Sequence, residues 1–183
     1  MKIVCFGDSN TYGYDPRSWS GEPYATPWVD VLSDKVGCTV INAGENGREI
    51  PRSEHTLNLL LKRHNPVDLL IVMLGTNDLL QGNTPENVAE RMERLLEEVQ
   101  IEKSKILLLA PPPMKLGEWV PNRTLVDASR QLREFYQHLG VRCAGGWEIP
   151  MAFDGVHFTE EGHIAFAEHL YRYLKTEAEH ESC

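Results

Sequence analysis

Leu69-Leu70-Ile71-Val72-Met73-Leu74-Gly75-Thr76-Asn77-Asp78 is the segment whose reading decides the fold. Its apolar run is too short for a helix and has no polar interruption, the pattern of a strand covered on both faces. Gly, Thr, Asn and Asp then end it as turn formers. Downstream, Thr84-Pro85 reads as an N-cap followed by proline at the first helical position. Val88, Met92, Leu95, Leu96 and Val99 place one apolar stripe on the helix that follows. A second apolar run, Ile106–Ala110, comes next. Strand, helix and strand in that order make a crossover unit of a parallel sheet.

The same alternation extends in both directions. Lys2–Phe6, Thr39–Ile41 and Val141–Cys143 are further short apolar runs. A helix after Pro27 carries Trp28, Val31 and Leu32, and another carries Leu57, Leu60, Leu61 and His64 before Asn65-Pro66 ends it. Leu125 to Leu139 forms a further helix, stopped by Gly140. The last helix begins at Thr159, with Glu160 and Glu161 where the helix dipole favours them. It directs Ile164, Ala167, Leu170, Tyr171 and Leu174 to the core. The expectation is an α/β protein: a three-layer α/β/α flavodoxin-like fold, a five-stranded parallel sheet in the order 2-1-3-4-5, and one domain over residues 1–183.

With 183 residues, 42% hydrophobic and 25% charged, the chain is globular rather than disordered or fibrous. A net charge of -9 disfavours nucleic acid and anionic membrane surfaces as partners, since both repel an acidic protein. No run approaches the ~20 apolar residues of a membrane helix. The apolar start is too short for a signal peptide, which leaves a cytoplasmic protein, the expectation here, or one whose leader is missing from this sequence. Cys5, Cys38, Cys143 and Cys183 form no C-x-x-C pair and are expected to be free thiols.

In open parallel sheets, ligands bind beyond the carboxyl ends of the strands. Gly7-Asp8-Ser9-Asn10 follows the first strand, Asn42-Ala43-Gly44-Glu45-Asn46-Gly47 the second, and Gly75-Thr76-Asn77-Asp78 the third. Asp154-Gly155-Val156-His157 follows the fifth. Singly, each is an ordinary turn. Together they hold what acyl transfer needs. A serine hydroxyl needs an adjacent base, and imidazole can take its proton and pass it to the leaving group. Asp154, three residues before His157, can fix the ring tautomer. The oxyanion needs aimed donors, for which Ser9 N–H, Gly44 N–H and the Asn77 amide are the candidates.

These segments, in this order, resemble the GDSL esterases or SGNH hydrolases, in particular their arylesterase and acyltransferase-like members. The resemblance rests on Phe6-Gly7-Asp8-Ser9, Asn42-Ala43-Gly44, Gly75-Thr76-Asn77-Asp78 and Asp154-Gly155-Val156-His157-Phe158, and spans nearly the whole chain. It implies ester hydrolysis through an acyl-enzyme, with no metal or organic cofactor. It assigns the nucleophile to Ser9, the acid and base to Asp154 and His157, and the oxyanion donors to Ser9, Gly44 and Asn77. Asp8 would hold the turn around the serine. Two residues depart from the family pattern: Asn10 stands where an aliphatic residue is usual, and Glu45 adjoins the expected oxyanion glycine. Aromatic loops at 12–26 and 111–122 would wall an acyl pocket favouring short chains, and could support a homo-oligomer as they do in relatives. Asn10, Tyr12, Glu45, Asn46 and Trp119 are the candidate substrate contacts.

No G-x-S-x-G elbow, phosphate loop, G-x-G-x-x-G or H-E-x-x-H occurs, so other hydrolase, nucleotide and zinc-protease readings lose support. His55 and His64 read as helix-surface residues and His163 as a neighbour of the site. The expected function is hydrolysis of small short-chain carboxylic esters. The alternatives are an O-acetylesterase of carbohydrates or other acetylated metabolites, and a non-catalytic binding module on the same frame.

Overall fold

The structure is a computed structural model and describes residues 1–181. Strands β1 (Lys2–Gly7), β2 (Thr39–Gly44), β3 (Leu69–Met73), β4 (Ile106–Ala110) and β5 (Arg142–Gly145) form one parallel sheet. Their order is β2-β1-β3-β4-β5, as expected. The helices are α1 (Ser9–Tyr12), α2 (Trp28–Val36), α3 (His55–Arg63), α4 (Thr76–Leu80), α5 (Pro85–Glu98), α6 (Arg123–Tyr136) and α7 (Glu160–Glu181).

Successive strand residues point to opposite faces, so each unbroken apolar run serves two cores. Ile3, Cys5, Ile71, Met73, Leu107 and Leu109 pack with Trp28 and Leu32 of α2 and Phe166 and Leu170 of α7. Val4, Phe6, Leu70, Val72 and Leu108 pack with Leu57 of α3, Val88, Met92 and Leu95 of α5, and Leu132 of α6. Each such side chain contributes ~1.5–3 kcal/mol on full burial. The Thr84 hydroxyl caps α5 by accepting the Asn87 N–H, and the Asn122 amide oxygen caps α6 by accepting the Leu125 N–H.

Two helix faces differ from expectation. In α2 it is Val29, not Val31, that is buried beside Trp28 and Leu32. In α7 Ile164 is 49% exposed, and His163 takes the inward slot beside Phe166, Ala167 and Leu170. His163 Nδ1 accepts the Trp28 N–H at 3.3 Å, Tyr24 and Phe158 pack against its ring, and its Nε2 is buried without a partner among the described residues. The acidic 177–181 segment is part of α7. Among the described residues no helix is long and apolar enough to cross a membrane. Cys5, Cys38 and Cys143 are free, and Cys183 lies outside the described residues.

Candidate active site

Strand register sets the height of the site. Gly7 pairs with Gly44 on one side and with Met73 on the other, so β1, β2 and β3 end level. Ser9, the 45–48 turn and Asn77 therefore leave the sheet at one edge. His157 has farther to come, because β5 lies three strands from β1, about 14 Å at ~4.8 Å per strand. Residues 146–157 make that return, and the loop after β4 holds them in place. Lys115, Glu118 and Trp119 donate their N–H groups to the carbonyls of Gly155, Phe153 and Asp154, at 2.9, 3.2 and 3.0 Å.

At the end of this path His157 Nε2 lies 3.0 Å from Ser9 Oγ, and His157 Nδ1 lies 2.7 Å from Asp154 Oδ2. Nδ1–H donates to the carboxylate, which leaves Nε2 as acceptor for the serine hydroxyl. The other Asp154 oxygen accepts the N–H groups of Val156 and His157, each at 2.9 Å. Burial alone would raise the Asp154 pKa. The hydrogen bonds from the His157 ring and from these two N–H groups outweigh it, and the carboxyl stays below its ordinary range. Tyr14 and Trp119 flank the imidazole, with ring centroids 4.6 and 5.2 Å away.

A cavity of about 230 Å³ opens beside this relay, lined by Ser9, Tyr14, Asn46, Gly47, Asn77, Trp119 and His157. Of its backbone N–H groups, those of Ser9, Asn46, Gly47 and Asn77 have no hydrogen-bond partner among the described residues. One Asn77 Nδ2 hydrogen goes to the Arg48 carbonyl at 3.0 Å, and the second remains available.

The model of the GDSL-like Lipase/Acylhydrolase family matches residues 5–165. The chain belongs to that family. A curated relative, the thioesterase 1/protease 1/lysophospholipase L1 of Escherichia coli, is 22% identical over 98% of this chain and 86% of its own. Among solved structures, the M. smegmatis aryl esterase is 27% identical with a TM-score of 0.80, covering 96% of this chain and 98% of that one. A carbohydrate acetylesterase family member from Sinorhizobium meliloti shares the fold at 24% identity and a TM-score of 0.79, covering 96% and 97%.

Not every residue expected at this GDSL-family site is found there. Gly44 ends β2, and its N–H is bonded to Asn42 Oδ1 at 2.9 Å. It packs so closely on α1 that an added Cβ would lie 2.1 Å from the Tyr12 nitrogen. Gly44 is thus a joint between β2 and α1, outside the cavity lining. Gly47 occupies the cavity instead. It is the third residue of a turn closed by Arg48 N–H to Glu45 O at 3.2 Å, with φ of +75°, which glycine accommodates at least cost.

Asn46 and Trp119 line the cavity; Asn10, Tyr12 and Glu45 do not. Asn10 is buried, with both ends of its amide bonded to the His157 loop. Tyr14 takes the place expected for Tyr12, two residues on, where the chain has left the single turn of α1. Glu45 is exposed and pairs with Arg48, whose guanidinium also donates to the Gly7 and Ala43 carbonyls and lies 4.2 Å over the Phe6 ring.

Further polar contacts brace the same elements. Asp8 Oδ1 accepts the Asn10 N–H, and burial raises the Asp8 pKa to about 6. Asp78 accepts the Ile50 N–H at 3.1 Å and pairs with Arg91 at 2.6 Å, which ties α4 and α5 to the end of the 45–50 segment. Burial raises the Asp78 pKa against those hydrogen bonds and the Arg91 charge. His163, close behind His157, is lowered by burial to about 4.

Proposed function

We propose that this GDSL-family protein is a serine esterase that hydrolyses small, short-chain carboxylic esters through an acyl-enzyme. Ser9 Oγ attacks the ester carbonyl while His157 Nε2 takes its proton. Asp154 holds the ring in the required tautomer and stabilises the imidazolium. Negative charge developing on the carbonyl oxygen meets Ser9 N–H, Gly47 N–H and the second Asn77 hydrogen. The imidazolium then protonates the leaving alcohol. Water, deprotonated by the same ring, releases the acid.

The observation that carries this reading is the unbroken chain of contacts from Ser9 Oγ through His157 to Asp154, 3.0 and 2.7 Å, opening onto a cavity with unpartnered donors. A binding module has no need of that alignment. The substrate size follows from the cavity. At about 230 Å³ it is below the ~300–1,000 Å³ of pockets for drug-sized ligands. Its walls, Tyr14 and Trp119, are aromatic; of the polar trio Glu45, Asn46 and Arg48, which would suit a sugar acetate, only Asn46 lines it.

The test is turnover of nitrophenyl esters of increasing chain length, and of acetylated sugars, by wild type and Ser9→Ala. Wild type should favour acetyl to butyryl over dodecanoyl esters, and Ser9→Ala should lose at least ~10³-fold in kcat while remaining folded. Equal rates on acetyl and dodecanoyl esters would refute the short-chain assignment. A Ser9→Ala enzyme that keeps most of its rate would refute the nucleophile. Faster turnover of acetylated sugars would move the substrate class to carbohydrate esters.

A further inference from the structure

Asn10 follows the nucleophile in sequence, and its side chain grips the chain on both sides of the base. Its Nδ2 donates to the Val156 carbonyl at 3.0 Å, and its Oδ1 accepts the Phe158 N–H at 3.0 Å. The residue is 4% exposed, and its own N–H is fixed on Asp8 Oδ1 at 2.9 Å. The two contacts bracket His157 from a point one residue past Ser9. The amide supplies a donor and an acceptor on two separate atoms; an ionised carboxylate offers two acceptors and an aliphatic side chain neither.

The His157 loop needs such a tie. It arrives from the far edge of the sheet, and its other anchors, to the loop after β4, engage residues 153–155, ahead of the histidine. A backbone bond from Ala152 N–H to the His157 carbonyl, 2.7 Å, closes the loop on itself but does not link it to Ser9. Apart from the Ser9–His157 contact itself, the Asn10 amide is the hydrogen-bonded link between α1 and residues 156–158.

We propose that Asn10 is a positioning residue: its amide bridge between α1 and the peptide groups flanking His157 sets the distance between nucleophile and base. The proposal rests on the esterase reading above. Displacing reacting groups by about 1 Å can cost on the order of 100-fold in rate. Asn10 does not line the cavity, so its loss should fall on the chemical step rather than on substrate binding.

The experiment compares wild type, Asn10→Leu, Asn10→Asp and Ser9→Ala, with kcat and KM on a short-chain nitrophenyl ester, urea denaturation, and crystal structures of the Asn10 variants. Asn10→Leu should lower kcat on the order of 10- to 100-fold and move KM by less than about threefold. Its Ser9 Oγ to His157 Nε2 distance should lengthen beyond ~3.5 Å. Asn10→Asp keeps the acceptor for Phe158 N–H but sets an oxygen against the Val156 carbonyl, and should also lose kcat. Should Asn10→Leu fail to fold, Asn10→Asp carries the test. Wild-type kcat per folded molecule in a folded variant, or a change in KM alone, overturns the proposal. If wild type turns over none of the esters, or Ser9→Ala keeps its rate, the esterase reading is what fails. The positioning claim is then decided by the crystal structure, where an unchanged Ser9–His157 contact overturns it.

Discussion

On the His157 side of the cavity the imidazole, the Asp154 carboxylate and the Ser9 hydroxyl are bonded to one another; on the Gly47 side the N–H groups of Asn46, Gly47 and Asn77 and one Asn77 amide hydrogen have no partner among the described residues. Imidazole, carboxylate and hydroxyl must hold one orientation before substrate arrives, so each is fixed by hydrogen bonds, by ring contacts or by both. The donors of the proposed oxyanion site must stay available, and it is their surroundings that the chain anchors. Arg48 secures the Gly7 and Ala43 carbonyls, Asp78 secures Ile50, and Asn77 bonds the Arg48 carbonyl through one hydrogen while keeping the other. Rigidity is thus delivered directly on one side and through neighbours on the other.

Removing a donor should break the contrast most strongly. Asn77→Ala is expected to lower kcat by about 10²–10³-fold, or ~2.7–4 kcal/mol of barrier, with little change in KM. Equal losses in kcat and stability would mean that Asn77 serves the loop and not the oxyanion.

Asp8 offers the next largest effect, on stability. It is buried on the bonded side, and its carboxyl is raised from 3.8 to about 6 in the folded state. Below about pH 3 the group is protonated folded or unfolded and carries little penalty. As pH rises through 4 to 6 the unfolded chain ionises first, and folding loses stability until the folded group ionises too. Asp8→Asn keeps an oxygen for the Asn10 N–H and removes this penalty. Urea denaturation should show it more stable than wild type at pH 8, by up to ~3 kcal/mol, with the gain fading toward pH 4. A variant less stable at pH 8 would show that the ionised carboxylate is needed where it sits.

Gly44 at the end of β2 and Gly47 in the turn beyond it separate the two kinds of role at smaller cost. Gly44→Ala drives a methyl into the Tyr12 backbone and should destabilise the fold by ~1–3 kcal/mol. Gly47→Ala has open space around it, pays only for its positive φ at ~1–2 kcal/mol, and keeps its N–H. The former should lose stability chiefly, while the latter should stay folded. Greater destabilisation from Gly47→Ala would reverse the two assignments.

That pair also marks where sequence reasoning stopped. Strands covered on both faces are written as unbroken apolar runs, so β1, β3 and β4 could be read directly, and their order follows from the flavodoxin-like arrangement that five alternating strands fit. The relay could be read as well, because its residue types follow strand ends. Edge strand β2 is only partly buried and admits Asn42, so its apolar run stops at Ile41 while the strand runs on to Gly44. The loop therefore starts three residues later than the hydrophobic pattern suggests, and its reachable glycine is Gly47. The turn signal was there, in Glu45-Asn46-Gly47-Arg48 with glycine third. Asn10 left no such trace, since its partners lie 146 and 148 residues away and side-chain to backbone bonds of that span have no periodicity.

The central claim, that Ser9 is a hydroxyl activated by His157, is tested most directly by intact-mass analysis after treatment with a nitrophenyl phosphonate. Wild type should gain a single adduct that peptide mapping places on Ser9, while Ser9→Ala gains none and His157→Ala reacts far more slowly. An unlabelled wild type, or an adduct mapped to another residue, would contradict the account.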